Sequence, residues 1–291
     1  MEGVRKVIVT GSNKGIGYGI FTGLLQLPEK LELILTSRSE ESGFKAIEDF
    51  KSKFPSKAAN IHFEMLNLLE DECIDDFVNR IATKYGKVDA LINNAGAASS
   101  GPAINKDIIN MTLGTNYFGT MRLTNLFLEK DIIQPNGKII FVSSCAGLLS
   151  LLKSKNPDLL EICSKYKDGK MTEKDVEDLA RRFSEEILIE GKKDFWYSNT
   201  YASSKMFVNM HAYILSRRPE VLDRKIQVYS CHPGFVDTDM TKGRGAPLNI
   251  YQGAETPLYL FNLPNHLNMD LQGQYFSEKK VVDIVNAPRP F

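Results

Sequence analysis

An excess of charge of either sign is missing from this chain: thirty-six Lys and Arg balance thirty-six Asp and Glu across 291 residues. Without a global field, nucleic acid and anionic membranes are disfavoured as partners. Cysteine is scarce. Cys73, Cys145, Cys163 and Cys231 are widely spaced and form no Cys-x-x-Cys pair, which argues against a zinc site or a disulfide framework and for a reducing compartment. No apolar run reaches the ~18 residues of a membrane span. Met1-Glu2-Gly3 passes straight into a strand pattern, so the chain is expected to be cytoplasmic. Internal repeats and low-complexity linkers are also missing. Tryptophan occurs once, as Trp196.

What is present is an ordinary globular composition, 43% hydrophobic and 25% charged, long enough to bury a substantial core in one domain, residues 1–291. Val4 to Thr10, Leu31 to Thr36, Asn60 to Met65, Val88 to Ile92, Lys138 to Ser143 and Lys225 to Cys231 are rich in Ile, Val and Leu, with helix-length segments between them. This alternation predicts βαβ units around a buried parallel sheet. One stretch stands apart. From Lys153 to Asp194, 21 of 42 residues are charged, yet Val176, Leu179, Ala180, Phe183 and Ile187 keep helical spacing. An amphipathic, solvated helical insertion is expected at about 150–199, with Thr172 as a helix N-cap.

Two patterns carry chemistry. Strand Val7-Ile8-Val9 feeds Thr10-Gly11-Ser12-Asn13-Lys14-Gly15-Ile16-Gly17, after which a helix runs toward Leu27 and Pro28. Glycines there let the backbone turn tightly and approach a pyrophosphate, which free N–H groups and the positive end of the helix dipole favour. Where the second strand ends, an acidic residue would bind the ribose of NAD. The chain has Thr36-Ser37-Arg38 instead, and Arg38 with Lys14 can grip a 2′-phosphate, so NADPH is preferred over NADH. The second pattern is Tyr201-Ala202-Ser203-Ser204-Lys205. Four residues place Tyr201 and Lys205 on one helix face, and a nearby ammonium stabilises a phenolate whose reference pKa is near ~10. That spacing alone more often marks a half-buried tyrosine beside a solvated lysine.

Taken together, the glycine turn, Asn93-Asn94-Ala95-Gly96, Asn116 within Gly114 to Thr120, Val142-Ser143-Ser144, Tyr201 to Lys205 and Pro233-Gly234-Phe235-Val236-Asp237-Thr238 resemble the short-chain dehydrogenase/reductase superfamily. Within it, the long insertion before Tyr201, Gly253-Ala254-Glu255-Thr256-Pro257 and Ser277-Glu278-Lys279-Lys280 are similar to the monomeric NADPH-dependent carbonyl reductases. The resemblance implies an α/β, Rossmann-like, doubly wound sheet of about seven parallel strands flanked by helices. It implies a monomer acting on a small-molecule carbonyl substrate. It also implies roles. Tyr201 is the general acid, Lys205 lowers its pKa and binds the nicotinamide ribose, and Ser144 donates to the substrate oxygen. Asn116 holds a water that links Lys205 to solvent. Asn94, Ala95 and Gly96 lie against the adenosine half of the cofactor, and Pro233, Gly234, Val236 and Thr238 wrap its nicotinamide end.

The departures from that pattern concern the two ends of the site. Leu66-Asn67-Leu68 stands where an aspartate usually meets the adenine, and the Asn67 amide oxygen can accept the same bond. Phe235 replaces a larger indole, and Cys145 and Ala146 supply small side chains beside Ser144, so the substrate pocket differs in shape. Trp196 either caps that pocket or packs the insertion. For Cys145 and Cys231 buried packing is favoured over reactive thiols, and for His232 a packing or loop role over acid/base work. The chain therefore reads as a reductase of ketones, aldehydes or quinones. A dedicated dehydrogenase of one terpenoid, alkaloid or steroid alcohol and a catalytically silent NADPH sensor are the alternatives.

Overall fold

A computed structural model describes residues 4–99 and 104–284, so the Met1-Glu2-Gly3 lead-in lies outside them. The apolar runs form β1 (Arg5–Val9), β2 (Leu31–Ser37), β3 (Ile61–Met65), β4 (Val88–Asn93), β5 (Ile133–Val142) and β6 (Gln227–His232). β5 begins five residues before the expected Lys138, because Pro135-Asn136-Gly137, which resembles a turn, is instead taken up at a shift in register with β4. Two further strands, β7 (Tyr275–Ser277) and β8 (Lys280–Val282), are too short to leave a periodic signal. They form a hairpin whose turn residues Glu278 and Lys279 have φ of 50° and 64°, the two left-handed positions of a type I′ turn.

The strand order is β3-β2-β1-β4-β5-β6-β7-β8. β1 to β7 run parallel and β8 pairs antiparallel at the edge. Both faces are covered, which explains the unbroken apolar runs. Val7, Val9, Leu33 and Leu35 pack toward helices Gly15–Gln26, Glu40–Lys53 and Ile250–Phe261. Ile8, Ile34, Leu91 and Ile139 alternate to the opposite face, under helices Asp71–Lys84, Thr120–Glu129 and Thr200–Leu215. The chain reverses its direction of winding between β1 and β4, and the turns leaving the carboxyl ends of the strands gather at that edge.

The insertion is helical as expected, with helices Pro157–Lys167 and Glu173–Glu186. Thr172 accepts from the Asp175 N–H while the Asp175 side chain accepts from Thr172 N–H, a full capping box. Val176, Leu179, Ala180 and Phe183 are buried, leaving the charges outward. The Phe183 ring lies 6.0 Å from Phe207 of the Thr200–Leu215 helix and 5.3 Å, edge on, from Trp196. Trp196 is 4% exposed and its Nε1 donates to Glu186 at 3.1 Å. Of the two roles open to Trp196, capping the substrate pocket or packing the insertion, these contacts favour the second: the indole lies under the insertion, with its polar edge satisfied there. Trp196→Ala should therefore lower the free energy of unfolding by about 3 kcal/mol or more, measured by urea denaturation followed by circular dichroism. A loss under about 0.5 kcal/mol, the range of a neutral surface change, would show that Trp196 does not hold the insertion down.

Candidate functional site

The turn after β1 is built by close approach. Gly11 and Gly15 adopt φ of 62° and 59°, backbone that favours glycine. At Gly17 a Cβ would stand 2.4 Å from Asn94 Nδ2 and 2.5 Å from the Gly11 carbonyl. Ser12 is fully buried; its Oγ donates to Val9 O at 2.7 Å and accepts from Thr36 N at 3.2 Å, so it locks the turn rather than facing a ligand. Asn13 is half-buried. The helix that follows has Lys14 at its N-cap without a side-chain cap, and no acidic residue in its first turn. Its leading N–H groups are thus left for an anion, and the cradle fits a pyrophosphate.

Around this turn lie the other expected cofactor residues. Asn94 N and Ala95 N both donate to Thr10 Oγ1 at 2.9 Å, and Asn94 Nδ2 donates to Thr10 O at 2.9 Å. Thr10 was not singled out from sequence, yet its hydroxyl clamps the β4 exit to the glycine turn. Arg38 is exposed at the end of β2 with no partner among the described residues. Lys14 is engaged: its Nζ lies 2.7 Å from Asp239 Oδ2, across the cleft from the glycine turn. Of the two expected phosphate-gripping cations, Arg38 is therefore the unengaged one. Leu66 is buried. The Asn67 amide oxygen accepts from Leu69 N at 3.2 Å and its Nδ2 donates to Glu70 at 2.7 Å, leaving one lone pair of that oxygen for an adenine.

At the other end of the cleft, Tyr201 and Lys205 rise from the Thr200–Leu215 helix, whose N-cap Asn199 accepts from Ala202 N at 2.8 Å. Lys205 is 5% exposed and its Nζ donates to Val142 O at 2.9 Å. Asn116 lies in a π-helical turn, Gly114–Gly119. Its Oδ1 accepts from Ala97 N at 2.7 Å, and its Nδ2 donates to Ala97 O and to Ser204 Oγ, each at 2.9 Å. The Asn116 amide thereby joins the β4 exit to the Tyr201 helix, a structural task alongside the one expected of it. Ser144 Oγ accepts from Ala146 N at 3.1 Å and lines the same cavity as Tyr201.

The electrostatics depart from expectation. Burial raises the Tyr201 phenol to about 12, with the Ser144 hydrogen bond and the Arg244 charge acting against it. Burial pulls Lys205 down to about 8. Lys205 Nζ stands 5.8 Å from the Tyr201 ring centroid and is turned to the Val142 carbonyl, and the net effect of the surroundings is to raise the phenol's pKa.

Tyr201 and Ser144 open on a cavity of about 950 Å³. Cys145, Ala146 and Phe235 lie in its wall, and Tyr197, not Trp196, supplies an aromatic side chain before the helix. Pro233, Gly234, Val236 and Thr238 border it from the β6 exit. Burial raises the thiols of Cys145 and Cys231, in keeping with packing. His232 ends β6 in the cavity wall, and burial lowers its imidazole to about 4, in keeping with a packing role. Arg244, also in the wall, was missed; its only sequence signal is the pair Gly243 and Gly245 around it. Among the described residues no cluster of three His, Cys, Asp or Glu could hold a metal, and no helix is long and apolar enough to cross a membrane.

Comparison with known proteins agrees with this geometry. Residues 5–154 match the model of the short chain dehydrogenase family. Carbonyl reductase (NADPH) 1 of Macaca fascicularis is 32% identical over 289 residues, 96% of this chain and 98% of its own length. Salutaridine reductase from Papaver somniferum superposes with a TM-score of 0.78 at 23% identity, over 94% of this chain and 99% of that one. NADPH-bound carbonyl reductase from chicken fatty liver gives 0.67 at 24% identity, over 96% and 98%. At those identities the two structures speak for the fold, a Rossmann-like sheet flanked by helices. On the family match and the near-full-length similarity to a curated reductase, the chain belongs to the short-chain dehydrogenase family.

Proposed function

We propose that this oxidoreductase is an NADPH-dependent carbonyl reductase, converting ketones, aldehydes or quinones to alcohols or hydroquinones as a single-domain monomer in the cytoplasm. The observation that carries the reading is Tyr201. Its phenol opens on the same cavity as Ser144, one helical turn from the buried Lys205, and burial raises its pKa. A phenol whose pKa is raised holds its proton at neutral pH and so has one to give to a carbonyl oxygen.

The glycine turn from Gly11 to Gly17, with Pro233, Gly234, Val236 and Thr238 at the other end of the cleft, would hold NADPH, which would supply a hydride to the carbonyl carbon. Tyr201 transfers its proton to the carbonyl oxygen, and Ser144 steadies that oxygen with a hydrogen bond while negative charge builds on it. Lys205 provides the buried positive charge behind the phenol and a donor for the nicotinamide ribose. Asn116 is a positioning residue here, through its bonds to Ala97 and Ser204. Arg38, exposed and unpaired among the described residues, is suited to the 2′-phosphate.

Three outcomes are expected. Tyr201→Phe keeps NADPH binding, followed by fluorescence titration, and lowers kcat by ~10²-fold or more; undiminished turnover would remove Tyr201 as the acid. For the unmodified protein, kcat/KM reports groups of the free enzyme. Lys205 is charged below its pKa of about 8 and neutral above it, while Tyr201, near 12, keeps its proton throughout. The reduction profile should thus be level from roughly pH 6 to 7.5 and fall above about 8. A profile level to roughly pH 9.5 would mean that the ammonium is not needed. Arg38→Ala should raise KM for NADPH by ~10-fold, as expected for loss of a charge-assisted bond, with a much smaller rise for NADH. Equal losses for both cofactors would exclude Arg38 from phosphate recognition.

A further inference from the structure

Four charged residues border the cavity: Arg244, Glu255, Glu278 and Lys279. Glu255 and Lys279 neutralise each other at 2.7 Å. Glu278 occupies the tip of the β7–β8 hairpin, and its charge is not among those acting on the Tyr201 phenol. Arg244 is different. Its guanidinium has no carboxylate partner among the described residues, and its carbon lies 5.9 Å from the centroid of the Phe235 ring. Of the four, Arg244 alone has a charge that reaches the Tyr201 phenol, so a molecule touching Tyr201 also lies within the field of Arg244.

The local backbone suits a recognition arm. Gly243 and Gly245, on either side, adopt φ of 75° and 69°, and a Cβ at either would meet nothing within 4 Å. Two unobstructed left-handed joints let the segment adjust to a ligand without disturbing the sheet. The planar fork of a guanidinium's N–H donors matches a carboxylate.

Resting on the carbonyl-reductase reading, we propose that Arg244 recognises an anionic group on the substrate, so that the preferred carbonyl compounds carry a carboxylate separated from the carbonyl by an apolar body. Phe235 and the small side chains of Cys145 and Ala146 would flank that body. Arg244 would bind its far end while Tyr201 meets the carbonyl oxygen.

A matched pair tests this: 4-carboxybenzaldehyde against its neutral methyl ester, assayed with NADPH at low salt. The acid should have the higher kcat/KM by ~10-fold, the scale of one charge-assisted contact, and added salt should shrink the ratio. Arg244→Gln should bring the ratio close to one, and Arg244→Lys should keep part of it, since an ammonium retains the charge but not the fork. A ratio near one in the unmodified protein, or one that Arg244→Gln leaves in place, overturns the proposal. A second readout does not depend on turnover. Calorimetric titration of 4-(hydroxymethyl)benzoate into the protein with NADPH should give a Kd that rises ~10-fold in Arg244→Gln; an unchanged Kd overturns the proposal. If neither aldehyde is reduced but this binding still depends on Arg244, the anion site stands and the reductase reading falls.

Discussion

The carboxyl edge of the sheet depends on how the protein keeps a lysine inside it. An ammonium removed from water without partners costs several kcal/mol, and Lys205 is 5% exposed. It is tolerated because Val142 ends β5 with its carbonyl 2.9 Å from Nζ. That contact requires the Thr200–Leu215 helix to lie close against the end of β5. Ser143 Oγ, donating to Lys205 O at 3.2 Å, fastens it there. So does the absence of a side chain at Gly147, where a Cβ would stand 2.7 Å from Met206 N. Once the helix is placed for Lys205, Tyr201 one turn earlier has no freedom left; it must face the cavity beside Ser144. The π-helical turn at Asn116 follows from the same constraint, since it delivers an amide to both Ala97 and Ser204.

The opposite end of the cleft is governed by backbone rather than by buried charge. Gly17 allows the Asn94 amide and the Gly11 carbonyl into the space a side chain would fill, and Thr10 bonds the two backbone N–H groups at the exit of β4. β1 and β4 are neighbours in the sheet, so this knot sits where the winding reverses and where a crevice is obligatory. The uncapped helix end beneath it gives the crevice its preference for an anion. Lys14 and Asp239 then bridge from the glycine turn to the segment after β6, which brings the two halves of the cleft within reach of one extended ligand.

Much of this was legible in the sequence, for identifiable physical reasons. Six strands declared themselves as short apolar-rich segments between helix-length stretches, most clearly β2, LELILTS, which is buried at six of its seven positions. The inserted helix was visible because one side packs on Phe207 while the other stays in water, and its capping box wrote its own start at Thr172. β7 and β8, three residues each, fell below the length at which alternation means anything. Tyr201, Ser144, Asn116 and the glycines could be found because their spacing is set by backbone geometry. Pairings between distant segments could not. Nothing near Lys14 in the chain points to Asp239, nothing near Trp196 chooses the insertion over the cavity, and the depressed pKa expected from a lysine four residues away depends on a side-chain direction that Val142 decides.

The same distinction separates the two ends of the site. The cofactor end is specified by positions where a Cβ is forbidden or a left-handed φ is required, so few residue choices survive and the pattern persists into a chain only 32% identical to a curated reductase. The substrate wall is made of side chains on a loop: Phe235 is 40% exposed, and Arg244 sits between two glycines with open space around them. Changes there cost the fold little. A chain can therefore keep its reaction while its substrate changes, and the residues that select the substrate must be sought where the backbone is least constrained.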